Sequence, residues 1–309
     1  MSLFEKRNGC PLCGGNKLTS LFKRDFADAD FKAFLKIEPT YGKHFRDDLA
    51  NGLLDDQKFY ILKCDSCSFI FQEYILNNTG MQKLYDKWME PEEVKRITNS
   101  FRNFDDLVAN YKHRLKYVEQ YFKDRPINFI DWGAGLGNFC KLAKDMPAYT
   151  VTAYDFSGEK NKELTDHGIQ TRTLGELHEK EFHFINIDQV LEHVPEPVAL
   201  LKECSRFLKD GGLIFVSTPD CSSLESLIKE NDLNEEFHEC MSPHQHINAF
   251  TNKSMKVAAD RAGLKTVFEP FRQIKTSVAG SQSLKMNLKN MVKPFYREYF
   301  STSLFLTKK

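Results

Sequence analysis

The chain has 309 residues, room for about two domains at roughly 100–200 residues each. Lys plus Arg and Asp plus Glu balance at 43 each, so no overall field exists to hold a polyanion, which disfavours nucleic acid as a partner. No stretch approaches the roughly 18 apolar residues of a membrane span, and MSLFEKRNGCPLCGG lacks an apolar signal core, so the expected setting is the cytoplasm, with its thiols reduced.

Residues 1–75 hold two CxxC pairs, Cys10 with Cys13 and Cys64 with Cys67, and a Phe-rich spacer in which DADFKAFLK reads as a capped helical segment. Residues 76–125 read as mainly helical. Over 104–122 the apolar positions Phe104, Leu107, Val108, Tyr111, Leu115, Val118, Tyr121 and Phe122 keep the i, i+3, i+4, i+7 spacing of one helix face. That helix should stop near Asp124-Arg125-Pro126, because a residue before proline resists the α conformation.

From 127 the pattern changes to short apolar runs alternating with helical stretches. Strands are expected at 127–132, 149–155, 169–172, 182–188 and 212–218, and helices at 137–145, 158–167 and 196–208. Alternation of this kind predicts a parallel sheet covered by helices. LKTVFEP and SLFLTKK near the end read as two more strands, possible antiparallel partners, with a helix between them at 283–291.

Two residues between cysteines let both thiolates face one ion, and Gly14 suits the positive-φ position that follows such a knuckle. Four thiolates, Cys10, Cys13, Cys64 and Cys67, make a closed tetrahedral set, the structural kind of zinc site. The competing readings are disulfides, which a reducing compartment opposes, and a redox CxxC, which would need one pair rather than two. Cys140, Cys204, Cys221 and Cys240 stand singly and read as small buried hydrophobes.

INFIDWGAGLGNFC, residues 127–140, places Gly133, Gly135 and Gly137 directly after a strand. The dinucleotide fingerprint wants G-x-G-x-x-G, and here Asn138 occupies the third glycine's place. Charge discriminates further. Asp131 ends the strand beside the turn, where it would repel a phosphate but favour a cation. S-adenosylmethionine is cationic and carries no phosphate. Asp155, ending the next strand, is placed to accept from both hydroxyls of an adenosine ribose, as the acidic residue of the NAD fingerprint also is.

FIDWGAGLGNF, AYDFS, DQVLEHVPEP and LKDGGLIFVSTP, in this order and spacing, resemble a class I S-adenosylmethionine-dependent methyltransferase over about residues 127–270. The resemblance implies a Rossmann-like α/β fold with a seven-stranded sheet and the cofactor across the carboxyl ends of its first strands. It places Asp131, Gly133, Gly135 and Gly137 on the methionine side and Asp155 on the ribose. Glu176 and Leu177 fall where the family encloses adenine, and Asp188 and Gln189 beside the transferring methyl. A zinc ribbon ahead of such a core is similar to bacterial enzymes that methylate nucleotide-linked sugars, polysaccharide precursors or secondary metabolites. The spacer is longer than in those ribbons, and their large C-terminal domain is lacking.

Methylation of a hydroxyl or a carbon acid requires a base, and histidine, with a pKa near neutrality, is the natural one. His193 lies in LEHVPEP; His244 and His246 lie in SPHQHINAFTNKSM. The family's H-I-x-x-F-[ST] segment closes the acceptor side, which favours His246. The expectation is therefore a zinc-ribbon lobe over 1–75, a helical linker over 76–125 and a methyltransferase domain over 126–309. The acceptor would be a small polar metabolite such as a sugar nucleotide, methylated on oxygen or carbon. The rival readings are a ribosomal-RNA base methyltransferase and a non-catalytic cofactor-binding scaffold whose ribbon binds a protein.

Overall fold

The computed structural model describes residues 3–36, 40–90, 92, 104–268 and 301–309. In chain order its strands are β1 (Phe4–Lys6), β2 (Leu18–Asp25), β3 (Lys58–Cys64), β4 (Ile70–Gln72), β5 (Tyr74–Leu76), β6 (Ile127–Trp132), β7 (Tyr149–Tyr154), β8 (Gln170–Thr171), β9 (Phe182–Asp188), β10 (Leu208–Ser217), β11 (Asn248–Ala249), β12 (Leu264–Val267) and β13 (Leu304–Lys308). The chain divides into two compact units. Residues 1–116 and 223–249 form the first, and residues 117–222 and 250–309 the second. Residues 223–249, expected within a domain over 126–309, group with the N-terminal residues instead.

The first unit has a four-stranded sheet in the order β11-β4-β3-β2 and a separate β1-β5 pair. Its core is aromatic. Phe31 stacks on Phe34 and on Phe59, Phe26 meets Phe31 edge-on, and Phe22 and Phe59 pack against Phe237 of the helix Glu235–Cys240. The spacer between the CxxC pairs thus supplies the packing that a small lobe needs. DADFKAFLK does form a helix, Ala29–Lys36, which buries Phe31, Phe34 and Leu35. Trp88 is fully buried against Phe45 and donates its indole N–H to Asp48 at 2.8 Å, so it belongs to this core rather than to an open pocket wall.

The second unit is a seven-stranded sheet in the order β12-β13-β10-β9-β6-β7-β8. β10, β9, β6, β7 and β8 pair in parallel, while β13 is antiparallel to both β10 and β12. The two expected C-terminal strands therefore form an antiparallel pair; the expected helix at 283–291 lies outside the described residues. The helices Asn138–Ala143, Gly158–Asp166 and Pro197–Phe207 fall where the alternation put them, and the long helix runs Phe104–Tyr121. β6 and β9 bury Ile127, Phe129, Ile130, Phe184, Ile185 and Ile187 completely, as strands covered on both faces must.

From β6 the chain winds outward through β7 to β8, then returns to β9 on the other side of β6. The carboxyl ends of β6 and β9 thus flank a topological switch point, where open α/β sheets bind their ligands. The turn beyond β6 is shaped for close packing. Gly137 has φ +69°, and a Cβ there would run into Leu164 of the Gly158–Asp166 helix. Gly137→Ala should cost about 2–4 kcal/mol from left-handed strain and overpacking together, read as a lowered urea midpoint at unchanged slope.

Candidate functional site

The glycine turn and the candidate acids Asp131, Asp155 and Asp188 lie at the carboxyl ends of β6, β7 and β9, while Glu176 and Leu177 follow the edge strand β8. Gly133, Gly135 and Gly137 all have positive φ, at 77°, 55° and 69°. The N–H groups of Gly133 and Ala134 donate to the Tyr154 carbonyl at 2.8 and 3.0 Å, tying the turn to the end of β7. A Cβ on Gly133 would come within 2.7 Å of Val190, whereas one on Gly135 would meet nothing within 4 Å. Gly133 is thus a packing glycine, and Gly135 keeps an open backbone face.

Asp155 follows β7. Its carboxylate accepts from the Gly135 N–H at 2.8 Å and the Ser157 N–H at 2.9 Å. Asn161 fixes the same residue's backbone, accepting from the Asp155 N–H at 3.0 Å and donating to its carbonyl at 2.7 Å. An ionised carboxylate offers about four acceptor positions, so about two remain for the hydroxyls of a ribose. Asp131 is buried, accepting from Asn186 Nδ2 at 2.7 Å, with the Cys140 thiol 3.4 Å away. Desolvation, with the Asp131 charge second, pushes the Cys140 thiol well up, so it stays protonated, as a buried apolar-like cysteine should.

Asp188 ends β9 and accepts from the Ser217 hydroxyl; Gln189 follows in the left-handed region, φ 57°, its side chain donating to that hydroxyl at 3.1 Å. A non-glycine residue at positive φ is uncommon, and this one stands where β9 ends. Glu176 is committed locally. Its carboxylate accepts from the Thr173 N–H at 2.7 Å and hydroxyl at 2.8 Å, a capping box that holds it below the usual glutamate range. Leu177 is buried beside it. Two residues at this site escaped the sequence reading. Phe156, directly after Asp155, is a large apolar side chain left 61% exposed, and Glu192 is fully buried. The signal for Phe156 was an apolar residue immediately beyond a strand-ending acid; Glu192 gave none, because glutamate is ordinarily exposed.

The three histidines have different surroundings. His193, in the second unit, is half-buried in the turn after β9, its N–H donating to the Val190 carbonyl at 3.0 Å. His246, in the first unit, is half-buried and its ring contacts the Glu239 carbonyl. His244 is enclosed by Phe4, Phe26, Tyr41, Phe45 and Trp88, with ring centroids 5.3–5.9 Å away. Its Nδ1 lies 2.8 Å from the Tyr41 hydroxyl, and burial drives its pKa down to about 3. A ring in that core is a poor base for a soluble acceptor, and the geometry corrects its candidacy.

That burial has a pH consequence. The folded pKa lies below the ordinary 6.5, so stability is complete above pH 6.5 and is lost as the pH falls toward 3. Unfolding of the first unit should become easier by about 1.4 kcal/mol per pH unit between about pH 6 and 4. Urea titrations following Trp88 should show this slope, and His244→Asn, which tolerates the same left-handed backbone, should reduce it.

The cysteines converge as spaced. The four Sγ atoms lie within 4.8 Å of one another, with Cys10 to Cys67 and Cys13 to Cys64 at 3.5 Å. A tetrahedral zinc with bonds of about 2.3 Å needs sulfurs about 3.8 Å apart. The knuckles match: Gly14 N–H donates to the Cys10 carbonyl and Ser68 N–H to the Cys64 carbonyl, both at 2.8 Å, with φ of 73° and 63°. Ser68 therefore takes the glycine position in the left-handed conformation. Burial pushes the Cys10 thiol well up and Cys67 to about 11, while backbone N–H groups outweigh burial at Cys64 and bring it to about 7. Four thiolates would need a cation between them, and four converging sulfurs are a donor set that fits a tetrahedral metal such as zinc.

The family model described as "Methyltransferase domain" matches residues 102–268, more than half of the chain. The chain belongs to this family. Similar curated relatives are found among ubiquinone biosynthesis O-methyltransferases. The one from Idiomarina loihiensis is 26% identical over 159 residues, covering 45% of this chain and 65% of that protein. One from Xanthomonas oryzae pv. oryzae is 30% identical over 116 residues, covering 34% and 48%. The chain thus spans between about half and two thirds of the length of these relatives. Among solved structures, the plantazolicin methyltransferase BpumL, in complex with a triazolic desmethylPZN analog and SAH, is similar with a TM-score of 0.48 and 17% identity, covering 74% of this chain and 94% of that one. A methyltransferase from Archaeoglobus fulgidus has a TM-score of 0.42 and 20% identity, covering 69% and 97%. Among the described residues no helix is long and apolar enough to cross a membrane.

Proposed function

We propose that this chain transfers a methyl group from S-adenosylmethionine to a hydroxyl of a small polar metabolite. The observation that carries the reading is Asp155, held by the Gly135 and Ser157 N–H groups at the carboxyl end of β7, beside the switch point. In this reading Gly133, Gly135 and Gly137 admit the cofactor's methionine portion, with Asp131 supplying negative charge nearby. Asp155 takes the ribose, Leu177 and the segment of Glu176 border the adenine, and Asp188 and Gln189 border the methyl. S-adenosylmethionine supplies an electrophilic methyl on a sulfonium; the chain's task is to orient the acceptor, exclude water and remove a proton.

Oxygen is favoured over carbon because the curated relatives are named as O-methyltransferases. A nucleotide-linked sugar is the acceptor we infer from the ribbon-bearing architecture, with a hydroxyl of a ubiquinone-biosynthesis intermediate as the class the relatives' names suggest. The lobe over 1–75 would hold zinc on Cys10, Cys13, Cys64 and Cys67, and the helical segment over 76–125 would lead into the methyltransferase domain. The test is incubation of the full chain with methyl-labelled S-adenosylmethionine and a panel of UDP-sugars, TDP-sugars and catechol. Label on a product oxygen is expected; label in added ribosomal RNA alone, or cofactor binding with no transfer, would overturn the reading.

A further inference from the structure

The turn beyond β9 carries a group that the site as described leaves idle. Glu192 is 1% exposed, and neither carboxyl oxygen has a hydrogen-bond partner among the described residues. An unpartnered buried carboxyl is costly, so it does not earn its place through stability. Burial raises its pKa to about 8, the charge of Asp188 at the end of β9 adding to the rise. A carboxylic acid tuned this close to neutrality is suited to proton traffic. Its neighbour His193 brings a ring nitrogen within 4.8 Å of a Glu192 oxygen. The same turn borders the switch point, since Val190 is the residue that a Cβ on Gly133 would strike.

We propose that Glu192 and His193 form a carboxyl–imidazole dyad that collects the proton released by the acceptor hydroxyl, with His193 as the base and Glu192 as its positioning residue. The proposal rests on the reading of the chain as a hydroxyl methyltransferase. Methylation forms one C–O bond and breaks the methyl C–S bond, whose electron pair returns to sulfur. The hydroxyl proton moves to the His193 ring and then to solvent. Once ionised, Glu192 places a negative charge close to the ring, which stabilises the imidazolium and makes His193 a stronger base. The two groups titrate as a coupled pair.

Two readouts test this. The first is the ring nitrogen titration of His193 by NMR in the full chain without cofactor. Wild type should show two coupled inflections, one near pH 8, and Glu192→Gln only one. The second is the pH–rate profile with whichever hydroxyl acceptor is methylated. Glu192→Gln should lose the rise through about pH 8 and lower kcat at least about tenfold there, with KM and S-adenosylhomocysteine affinity moving less than about twofold; Glu192→Asp should recover part of the rate. His193→Ala should lose about a hundredfold in kcat. An unchanged His193 titration in folded Glu192→Gln, or unchanged kcat, overturns the dyad. If wild type methylates no hydroxyl, the functional reading fails, and the titration still decides whether the two groups are coupled.

Discussion

Cys64→Ser is expected to leave the chain with substoichiometric zinc and an unfolded first unit. Cys64 ends β3 and is fully buried, and its sulfur lies 3.5 Å from that of Cys13. β3 pairs with both β2 and β4, so its end is anchored to most of the sheet. A structural zinc contributes roughly 10–16 kcal/mol of apparent binding energy, as much as an entire domain's net stability. Losing one of four thiolates opens the site and leaves three thiols, one buried and two half-buried, without a complete ligand set. Metal analysis together with limited proteolysis reads both effects: about one zinc per wild-type chain, little in the variant, and rapid cleavage within residues 1–76. A full zinc equivalent in a protease-resistant variant would reject the four-cysteine site.

The second large effect is Asp155→Ala. Removing this carboxylate takes away the acceptor for the Gly135 and Ser157 N–H groups as well as the proposed ribose contact. Hydrogen bonds to a charged group contribute about 1.5–3 kcal/mol each. Losing two from the ribose, about 3–6 kcal/mol together, should weaken S-adenosylhomocysteine binding by about 100- to 10,000-fold. Zinc content should be unchanged, because the two sites share no residue. Calorimetric affinity within about threefold of wild type would mean that Asp155 serves only to brace the glycine turn.

The sheet was legible because its strands are continuous apolar runs bounded by turn residues. β6, β7 and β9 begin and end within a residue of expectation. β10 starts four positions earlier than expected, at Leu208, because a register shift between Leu208 and Leu213 absorbs Gly211 and Gly212 within the strand. The first unit was less legible. β2 alternates poorly, with only Phe22 buried, so neither strand period dominates. The return of 223–249 is made by a two-residue pairing, Asn248 with Phe71 and Ala249 with Ile70, and by the packing of Phe237 and His244 among distant aromatics, none of which a local pattern encodes. Within the site, glycines and acids announced themselves by spacing. His244 did not announce its aromatic enclosure, since His-x-His reads equally as a reactive pair and as a core residue beside a surface one.

The most direct test of the central claim is calorimetric titration of the full chain with S-adenosylhomocysteine, alongside NADH. The account predicts one site with an affinity on the order of micromolar for S-adenosylhomocysteine, about −8 kcal/mol, and no heat from NADH. NADH binding with no response to S-adenosylhomocysteine would contradict it, and would return the glycine turn and Asp155 to a dinucleotide.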